Sequence, residues 1–325
     1  MHRHRKLVFG AALFVAFVGA VPVLAAEGCT LTNLTTIQLG YDRGGRPIIP
    51  VMLNDVERHF LIDTGGAYGM LDAATANILG LRAERSATTI RGVTGQRSST
   101  FYTIEDFRFG TLRAQNQTFM VWPRERDPDG ESAVVGTIAP DILAEFDTEF
   151  DFGSGRFSLF RHNNCTGAPV YWPADAIAMV PFELNSSWHI TFPILLDGVE
   201  LTAIIDTGAA PSTLRLDIAE DKFGLNASTG ELEQVSTLGE QDDPVFVHEF
   251  QSIRMGDVEV FEPHVTILPD LMSSEFNRIT GTSSSFQLPD MIIGMSILSH
   301  LRIYIAYGEK RLYVTEAVNE APAGP

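Results

Sequence analysis

Two aspartates carry the strongest chemical signal in the sequence. Asp63 and Asp206 each begin an Asp-Thr-Gly triplet, and each triplet directly follows an apolar stretch that is typical of a buried strand. A single triplet of this type also makes an ordinary turn, so the alternative is a pair of aspartates that cap loops. Two carboxylates about 3 Å apart cannot both ionise, and they share a proton. Such a pair offers a general base and a general acid together, and it activates water without a metal or a covalent intermediate.

The residues that follow each aspartate suit this chemistry. Gly65 and Gly208 have no side chain, so the loop backbone can turn tightly and approach a neighbouring loop closely. The hydroxyl groups of Thr64 and Thr207 can donate and accept hydrogen bonds between two such loops. We therefore predict that these four residues support the loops that carry the carboxylates.

The two triplets belong to a duplicated sequence unit. Residues 49–57 (IPVMLNDVE) and 192–200 (FPILLDGVE) align with an offset of 143, and the same offset aligns the two triplets. A second block, residues 153–159 (GSGRFSL) and 308–314 (GEKRLYV), aligns with an offset of 155. An internal repeat is a strong indication of architecture. It predicts two similar lobes related by an approximate twofold axis, with the aspartates facing each other across it.

Each copy is predicted to be mostly β-structure with a few short helices. Short runs of β-branched and aromatic residues lie between Gly, Asn and Asp residues, and Asn54-Asp55 and Asp197-Gly198 are typical hairpin turns. Helical patterns are brief, and they cover residues 71–79, 139–146, 216–223 and 296–301. The predicted organisation is a signal peptide at 1–26, an N-terminal lobe at 27–166, a C-terminal lobe at 167–318 and a disordered tail at 319–325.

The N-terminus and the overall charge indicate an exported protein. A basic start, an apolar run at residues 7–23 and small residues at 24–26 are typical of a secretory signal peptide. The alternative is an uncleaved anchor, although the apolar run barely reaches spanning length. The formal net charge of -18 disfavours nucleic acid and anionic membranes as partners. We expect a monomer in the periplasm or outside the cell, with membrane contact only through an uncleaved signal peptide.

Two cysteines, Cys29 and Cys165, lie at the two ends of the predicted first lobe. An even number of cysteines in an exported protein favours a disulfide. The alternative is two buried free thiols. A bridge between Cys29 and Cys165 would hold the N-terminal segment against the last strand of the lobe.

The segments around the two aspartates read FLIDTGG at residues 60–66 and AIIDTGA at residues 203–209. They resemble the active-site signatures of pepsin-like and retropepsin-like aspartic proteases. The hydrophobic-hydrophobic-glycine element that these families carry downstream is similar to Ile292-Ile293-Gly294, whereas the first copy has Ala139 in place of the glycine. Two copies in one chain resemble pepsin architecture. The compact motif spacing is more similar to retropepsin-like proteases of bacteria, which suggests the periplasm.

This resemblance implies duplicated acid-protease β-barrel lobes, with Asp63 and Asp206 as the catalytic pair. Two positions depart from the pepsin pattern, because Gly66 and Ala209 stand where pepsins usually have Ser or Thr. Neither departure removes a catalytic group. Because Ala139 replaces the glycine of the downstream element, the sequence does not predict how the loops of the first lobe pack.

Proteases of these families close a β-hairpin flap over the substrate, and two glycine-containing turns are candidates for it. The flap candidates are Gly92, Val93, Thr94 and Gly95 in the first copy and Leu238 and Gly239 in the second. The alternative for both is a plain hairpin turn. Tyr102, on the strand that returns from the first turn, is expected to lie in the core.

The resemblance implies a secreted or periplasmic aspartic endopeptidase that hydrolyses peptide bonds of an extended peptide or protein substrate. It implies no cofactor and no metal, and the histidines lack metal-ligand spacing. One alternative is a non-catalytic pepsin-like scaffold that binds a peptide or protein, and another is a periplasmic scaffold held by partner domains. The retention of both Asp-Thr-Gly triplets favours the enzyme.

Overall fold

The structure of the chain is a computed structural model. It describes residues 31–91, 97–122, 134–162, 170–174, 176–185, 188–226, 232–238, 243–269 and 289–318. The predicted signal peptide, the C-terminal tail and both cysteines lie outside the described residues. Export and the Cys29–Cys165 disulfide therefore stay predictions.

The described residues are mostly β-structure, as the sequence predicted. In the first half of the chain the strands are β1 (Asn33–Gln38), β2 (Gly40–Tyr41), β3 (Pro47–Leu53), β4 (Val56–Ile62), β5 (Met70–Asp72), β6 (Glu84–Arg91), β7 (Arg97–Phe109), β8 (Leu112–Trp122), β9 (Val134–Ile138), β10 (Asp147–Asp151) and β11 (Arg156–Phe160). In the second half they are β12 (Ala178–Pro181), β13 (Glu183–Leu184), β14 (Ile190–Leu196), β15 (Val199–Ile205), β16 (Thr213–Arg215), β17 (Glu233–Leu238), β18 (Asp243–Glu249), β19 (Ser252–Met255), β20 (Val258–Phe261), β21 (His264–Leu268), β22 (Met291–Ile293), β23 (Leu301–Ala306) and β24 (Arg311–Glu316).

The helices are short and lie where the sequence predicted them. They are α1 (Ala73–Ile78), α2 (Pro140–Leu143), α3 (Leu216–Phe223) and α4 (Met295–Leu298). The first, second and fourth are shorter than predicted, and the second and fourth are each a single turn. None of the helices in the described ranges has the length and apolarity needed to cross a bilayer.

Two tight hairpins position the strands that lead to the aspartates. Asn54 and Asp55 have φ of 48° and 68°, and they join β3 to β4. Asp197 and Gly198 have φ of 46° and 78°, and they join β14 to β15. Two consecutive residues with positive φ form the turn whose twist matches paired strands, which is why Asn, Asp and Gly occur here.

The strand pairing repeats in the two halves, which confirms the duplicated fold. In the first half β9 runs parallel to β4 and antiparallel to β5, and β5 runs parallel to β8. In the second half β22 runs parallel to β15 and antiparallel to β16, and β16 runs parallel to β21. The inserted strands β9 and β22 therefore hold the carboxyl ends of β4 and β15 apart from the next strand. The residues that leave β4 and β15 at this gap are Asp63 and Asp206.

A third sheet joins the two halves, and the sequence repeat did not predict it. Its strand order is β1-β11-β10-β23-β24-β12, so the first and second halves each contribute three strands. Arg302 on β23 makes a salt bridge with Glu149 on β10 at 2.6 Å, and a second with Asp151 at 3.3 Å. This shared sheet connects the halves by backbone pairing and by buried charge pairs.

Candidate active site

The backbone places Asp63 and Asp206 in equivalent positions. The N–H of Asp63 donates to the carbonyl of Ile138 at 2.9 Å, and the N–H of Asp206 donates to the carbonyl of Ile293 at 3.0 Å. Each aspartate is thus anchored to the end of the inserted strand of its own half. The two carboxyl groups form a hydrogen bond with each other. The structure brings the two predicted carboxylates into direct contact.

The backbone of each loop also donates to its own carboxyl group. Oδ1 of Asp63 accepts from the N–H of Gly65 at 3.1 Å and from the N–H of Gly66 at 2.8 Å. Oδ1 of Asp206 accepts from the N–H of Gly208 at 2.8 Å. These bonds stabilise the ionised form and fix the direction in which each carboxyl points.

The two threonines hold the loops together across the boundary between the halves. The hydroxyl of Thr64 donates to the carbonyl of Ile205 at 3.0 Å and accepts from the N–H of Thr207 at 3.0 Å. The hydroxyl of Thr207 donates to the carbonyl of Ile62 at 2.6 Å and accepts from the N–H of Thr64 at 3.1 Å. Both threonines are fully buried. Their reciprocal bonds join the two loops into one unit.

Gly65 and Gly208 are required by the close approach of the loops. A Cβ on Gly65 would lie 2.2 Å from Cγ of Asp206, and a Cβ on Gly208 would lie 2.5 Å from Oδ1 of Asp63. Each glycine therefore faces the carboxyl group of the opposite half. Any side chain at either position would force the two carboxyls apart.

The electrostatics of the pair follow from burial and proximity. Burial raises the pKa of Asp63, while the hydrogen bonds from Gly66 and Gly65 act against that rise. Burial and then the negative charge of Asp63 raise the pKa of Asp206 to about 8. Because these values belong to an interacting pair, the proton is shared, and the pair still holds it at neutral pH. One carboxylate and one carboxylic acid, hydrogen-bonded at a partly open site, provide a base and an acid for water activation.

The predicted flap turns have their flanking strands in place. Strands β6 and β7 form an antiparallel hairpin, and β17 and β18 form its counterpart. Leu238 is the last residue of β17. The turn candidates Gly92, Val93, Thr94, Gly95 and Gly239 lie outside the described residues, so the flap assignment stays a prediction. Tyr102 is a core residue with 5% of its surface exposed.

The first lobe has room for the Ala139 side chain because the residue that faces it, Gly66, has no side chain. Ala139 is fully buried, and a Cβ on Gly66 would lie only 3.4 Å from the Ala139 methyl. In the second half the residues are reversed, with Ala209 in the loop and Gly294 downstream. The two departures from the family pattern, Ala139 and Gly66, therefore compensate each other. In each lobe one of the two facing residues is alanine and the other is glycine.

Sequence reasoning missed two turns that flank the pair. In the first turn Nε of Arg46 donates to Asp42 at 2.8 Å, and Nη1 of Arg46 donates to the carbonyl of Gly208 at 3.3 Å. In the second turn the imidazole of His189 forms a hydrogen bond with the backbone carbonyl of Gly65. The signal that identifies them is the offset of 143, because it aligns Arg46 with His189.

Comparisons with known proteins agree with this geometry. Two solved structures are similar in fold: the aspartic proteinase of Irpex lacteus (16% identity, 89% of this chain and 99% of that chain, TM-score 0.53) and conglutin gamma, a basic 7S globulin from lupine seeds (9% identity, 88% and 95%, TM-score 0.50). Among curated proteins no relative matches the chain. The family described as aspartyl protease matches residues 49–135 and 192–297. Since this match covers more than half of the sequence and includes both aspartates, the chain belongs to the aspartyl protease family.

Proposed function

We propose that this protein is an aspartic endopeptidase that hydrolyses peptide bonds in extended peptide or protein substrates, with Asp63 and Asp206 as the catalytic pair. The observation that supports this most strongly is the hydrogen bond between the two carboxyl groups at the point where the two halves meet. The threonine hydroxyls and the two glycines maintain that contact. The arrangement satisfies the geometric requirement for concerted acid and base chemistry.

Hydrolysis proceeds in two balanced steps. In the first, the ionised carboxylate takes a proton from water, the water oxygen bonds to the scissile carbonyl carbon, and the protonated carboxyl gives its proton to the carbonyl oxygen. In the second, the newly protonated carboxyl donates to the amide nitrogen, the other carboxylate takes a hydroxyl proton, and the carbon–nitrogen bond breaks. The pair then holds one proton again, so it is ready for the next substrate.

We also propose that the enzyme is exported and monomeric. The proposal is supported by the signal-peptide pattern at residues 1–26 and by the net charge of -18, which favours a solvated surface. Mass spectrometry of the protein purified from the periplasm and the medium would identify the mature N-terminus. An N-terminus between residues 25 and 28 supports export, whereas a retained Met1 in a cytosolic fraction contradicts it.

Activity is tested with the purified mature chain and a diverse peptide mixture, with the products identified by mass spectrometry between about pH 3 and 8. Cleavage should be blocked by a statine-type inhibitor, because the statine hydroxyl mimics the tetrahedral intermediate. Asp63→Asn and Asp206→Asn remove the pair, and Asp217→Asn is a matched control on an exposed carboxyl. Cleavage that survives in either pair variant would contradict the catalytic assignment.

The second candidate is a peptide- or protein-binding scaffold that does not cut. The observation in its favour is that a similar solved structure is named a seed globulin rather than a proteinase. That likeness concerns the fold. A scaffold would bind peptides from the same mixture and release them intact, and Asp63→Asn would leave the bound set unchanged. An intact, hydrogen-bonded carboxyl pair favours the enzyme.

A further inference from the structure

Two turns of the same construction approach the carboxyl pair from opposite sides. The first covers Asp42–Arg46, and in the second the structure describes Asn185, Trp188 and His189, which align with Asp42, Gly45 and Arg46 at the constant offset of 143. The N–H of Arg46 donates to Oδ1 of Asp42 at 2.9 Å, and the N–H of His189 donates to Oδ1 of Asn185 at 3.1 Å. The turns therefore share a backbone frame, in which a short side chain at the first position binds the backbone of the fifth.

The side chain at the fifth position of each turn crosses to the other half. Arg46 donates to the carbonyl of Gly208 at 3.3 Å, and the His189 ring bonds to the carbonyl of Gly65. Each contact reaches the glycine of the opposite Asp-Thr-Gly triplet. These contacts to the opposite half are not required to close a hairpin, so they indicate an additional role for the two side chains.

One planar peptide unit links His189 to Asp63. The carbonyl of Gly65 and the N–H of Gly66 belong to the same peptide group, and that N–H donates to Oδ1 of Asp63 at 2.8 Å. A bond to the carbonyl polarises the peptide and strengthens the bond that its N–H donates. On the other side Arg46 bonds to the carbonyl of Gly208, and the N–H of the same peptide, that of Ala209, donates to the main-chain carbonyl of Asp206 at 3.2 Å and acts to lower the pKa of its carboxyl.

The second turn is held in a conformation that its sequence disfavours. Trp188, next to His189, has φ of 64°, whereas the equivalent residue of the first turn is Gly45 with φ of 73°. A bulky residue in the left-handed region is strained, and such strain persists only where the surroundings fix it. The cost is consistent with a requirement to present His189 at this place.

We propose that His189 is a positioning residue for the carboxyl pair: through the Gly65–Gly66 peptide it orients the N–H that binds Asp63, and a second proton on its ring favours the ionised form of that carboxyl. Arg46 makes the equivalent contact to the other loop with a permanent charge. The contact that His189 makes therefore responds to pH, whereas the contact that Arg46 makes to Gly208 does not; the charge of Arg46 also acts to lower the pKa of Asp63 at every pH. The catalytic consequence rests on the proposed function, whereas the effect on the carboxyl pair does not.

The surroundings of His189 define when it gains charge. Burial lowers the pKa of the imidazole, and the bond to Gly65 opposes that effect. Nδ1 of the ring lies 3.5 Å from the amide nitrogen of Asn185. The groups that act on the pKa of Asp63 itself include Asp206 and, through its charge, Arg46. The ring is therefore neutral near pH 7 and becomes charged in acid, where a charged donor makes a stronger hydrogen bond than a neutral one.

The test uses the mature protein with its aspartate carboxyl carbons labelled with ¹³C, and it follows the titration of the pair by NMR. Signals are assigned with Asp63→Asn and Asp206→Asn. His189→Arg should lower the apparent pKa of the pair by about 1, His189→Leu should raise it by about 0.5, and His189→Gln, a neutral donor, should keep it within about 0.3. His264→Gln, which alters an exposed surface histidine paired with Glu249, is the control and should change nothing.

Kinetics give a second measurement of the same proposal. His189→Leu should lower kcat about tenfold, because a hydrogen bond of ordinary strength is lost, and His189→Gln should restore kcat to within about threefold. Circular dichroism verifies that each variant folds; if the leucine variant does not, the arginine and glutamine variants still carry the comparison. An unchanged titration of the pair in every folded variant overturns the proposal. If the wild type cleaves no peptide but its carboxyl titration moves as expected, the proposed function fails and the role of His189 stands.

Discussion

In the first lobe a half-buried carboxyl group supports the loop that follows the aspartate, and in the second lobe a hydroxyl group does so. The N–H of Gly69 donates to Oδ1 of Asp141 at 2.8 Å, and the N–H of Ser212 donates to Oγ of Ser296 at 2.9 Å. Burial raises the pKa of Asp141 to about 7, whereas Ser296 does not titrate. The lobes therefore keep the same donors in the same places and differ in which acceptors ionise.

The lobes also differ in which of two facing residues carries a methyl group. Gly66 faces Ala139 in the first lobe, and Ala209 lies near Gly294 in the second. A Cβ on Gly294 would lie 2.2 Å from the carbonyl oxygen of Pro211, a contact with backbone that cannot rotate away. The two lobes thus keep the same loop geometry although alanine and glycine have exchanged places. The exchange determines at which of the two positions each lobe tolerates a larger residue.

The largest expected effect is at the pair itself, where the lobes should be equally sensitive. Asp63→Asn and Asp206→Asn should each lower kcat by about 10³-fold or more, because each removes the proton-sharing pair. The measurement is the rate of peptide cleavage by folded protein. A variant that retains more than about one tenth of the wild-type rate would show that its carboxyl is not part of the chemistry.

The next effect concerns the exchanged methyl groups. Gly294→Ala should destabilise the protein by about 3 kcal/mol, because the new Cβ meets the Pro211 backbone. Ala139→Gly, at the equivalent position of the first lobe, should cost about 1 kcal/mol through lost packing and added chain freedom. Urea unfolding of both variants measures the difference. Equal losses would mean that the two lobes are not distinguished by this contact.

Asp141 predicts a pH dependence that the second lobe lacks. Its folded-state pKa of about 7 lies above the ordinary value, so its contribution to stability is complete below about pH 4 and is lost as the pH rises through about 7. Asp141→Asn stays neutral and keeps the bond from Gly69. At pH 8 it should be more stable than the wild type by about 1–2 kcal/mol, less than the full pKa change gives because the side chain is partly exposed.

Unfolding measurements at about pH 3.5 and pH 8 test this prediction about Asp141, and at the lower pH the variant and the wild type should be equally stable. The carboxyl pair titrates in the same direction, because the pKa of Asp206 is also raised. Both proteins should therefore lose some stability toward pH 8, and the diagnostic quantity is the difference between them. Asp217→Asn, on an exposed carboxyl, should show no such difference.

Much of this site could be predicted from sequence because its information is local. The Asp-Thr-Gly triplets and the hairpin turns at Asn54-Asp55 and Asp197-Gly198 depend on neighbouring residues, and the repeat is found by aligning the sequence with itself. The six-stranded sheet could not be predicted, because apolar alternation identifies a strand without identifying its partner across the chain. Arg46 and His189 were missed for a related reason, since each acts on the opposite half and looks like part of an ordinary polar turn.

The smallest expected effect concerns the residue after each triplet, where a pepsin-like hydroxyl is absent. Adding one near a carboxyl should stabilise the ionised form, lower the pKa of the pair and move the optimum of cleavage toward acid by about 0.5 pH. The two lobes differ in how much space they offer for the added side chain. Ala209→Ser extends an existing Cβ, whereas the Cβ of Gly66→Ser would lie 3.0 Å from Oδ2 of Asp63.

Ala209→Ser is therefore the informative variant, and it should shift the pH profile without loss of kcat. Gly66→Ser should shift the profile and lower kcat together, because its Cβ crowds the carboxyl that it is meant to stabilise. Profiles of kcat against pH for both variants and the wild type measure the two effects separately. Since the pair holds its proton to higher pH without the hydroxyls, the wild-type optimum should lie in weak acid. An optimum near about pH 2, or no acid shift with Ala209→Ser, would show that the missing hydroxyls do not control the pair.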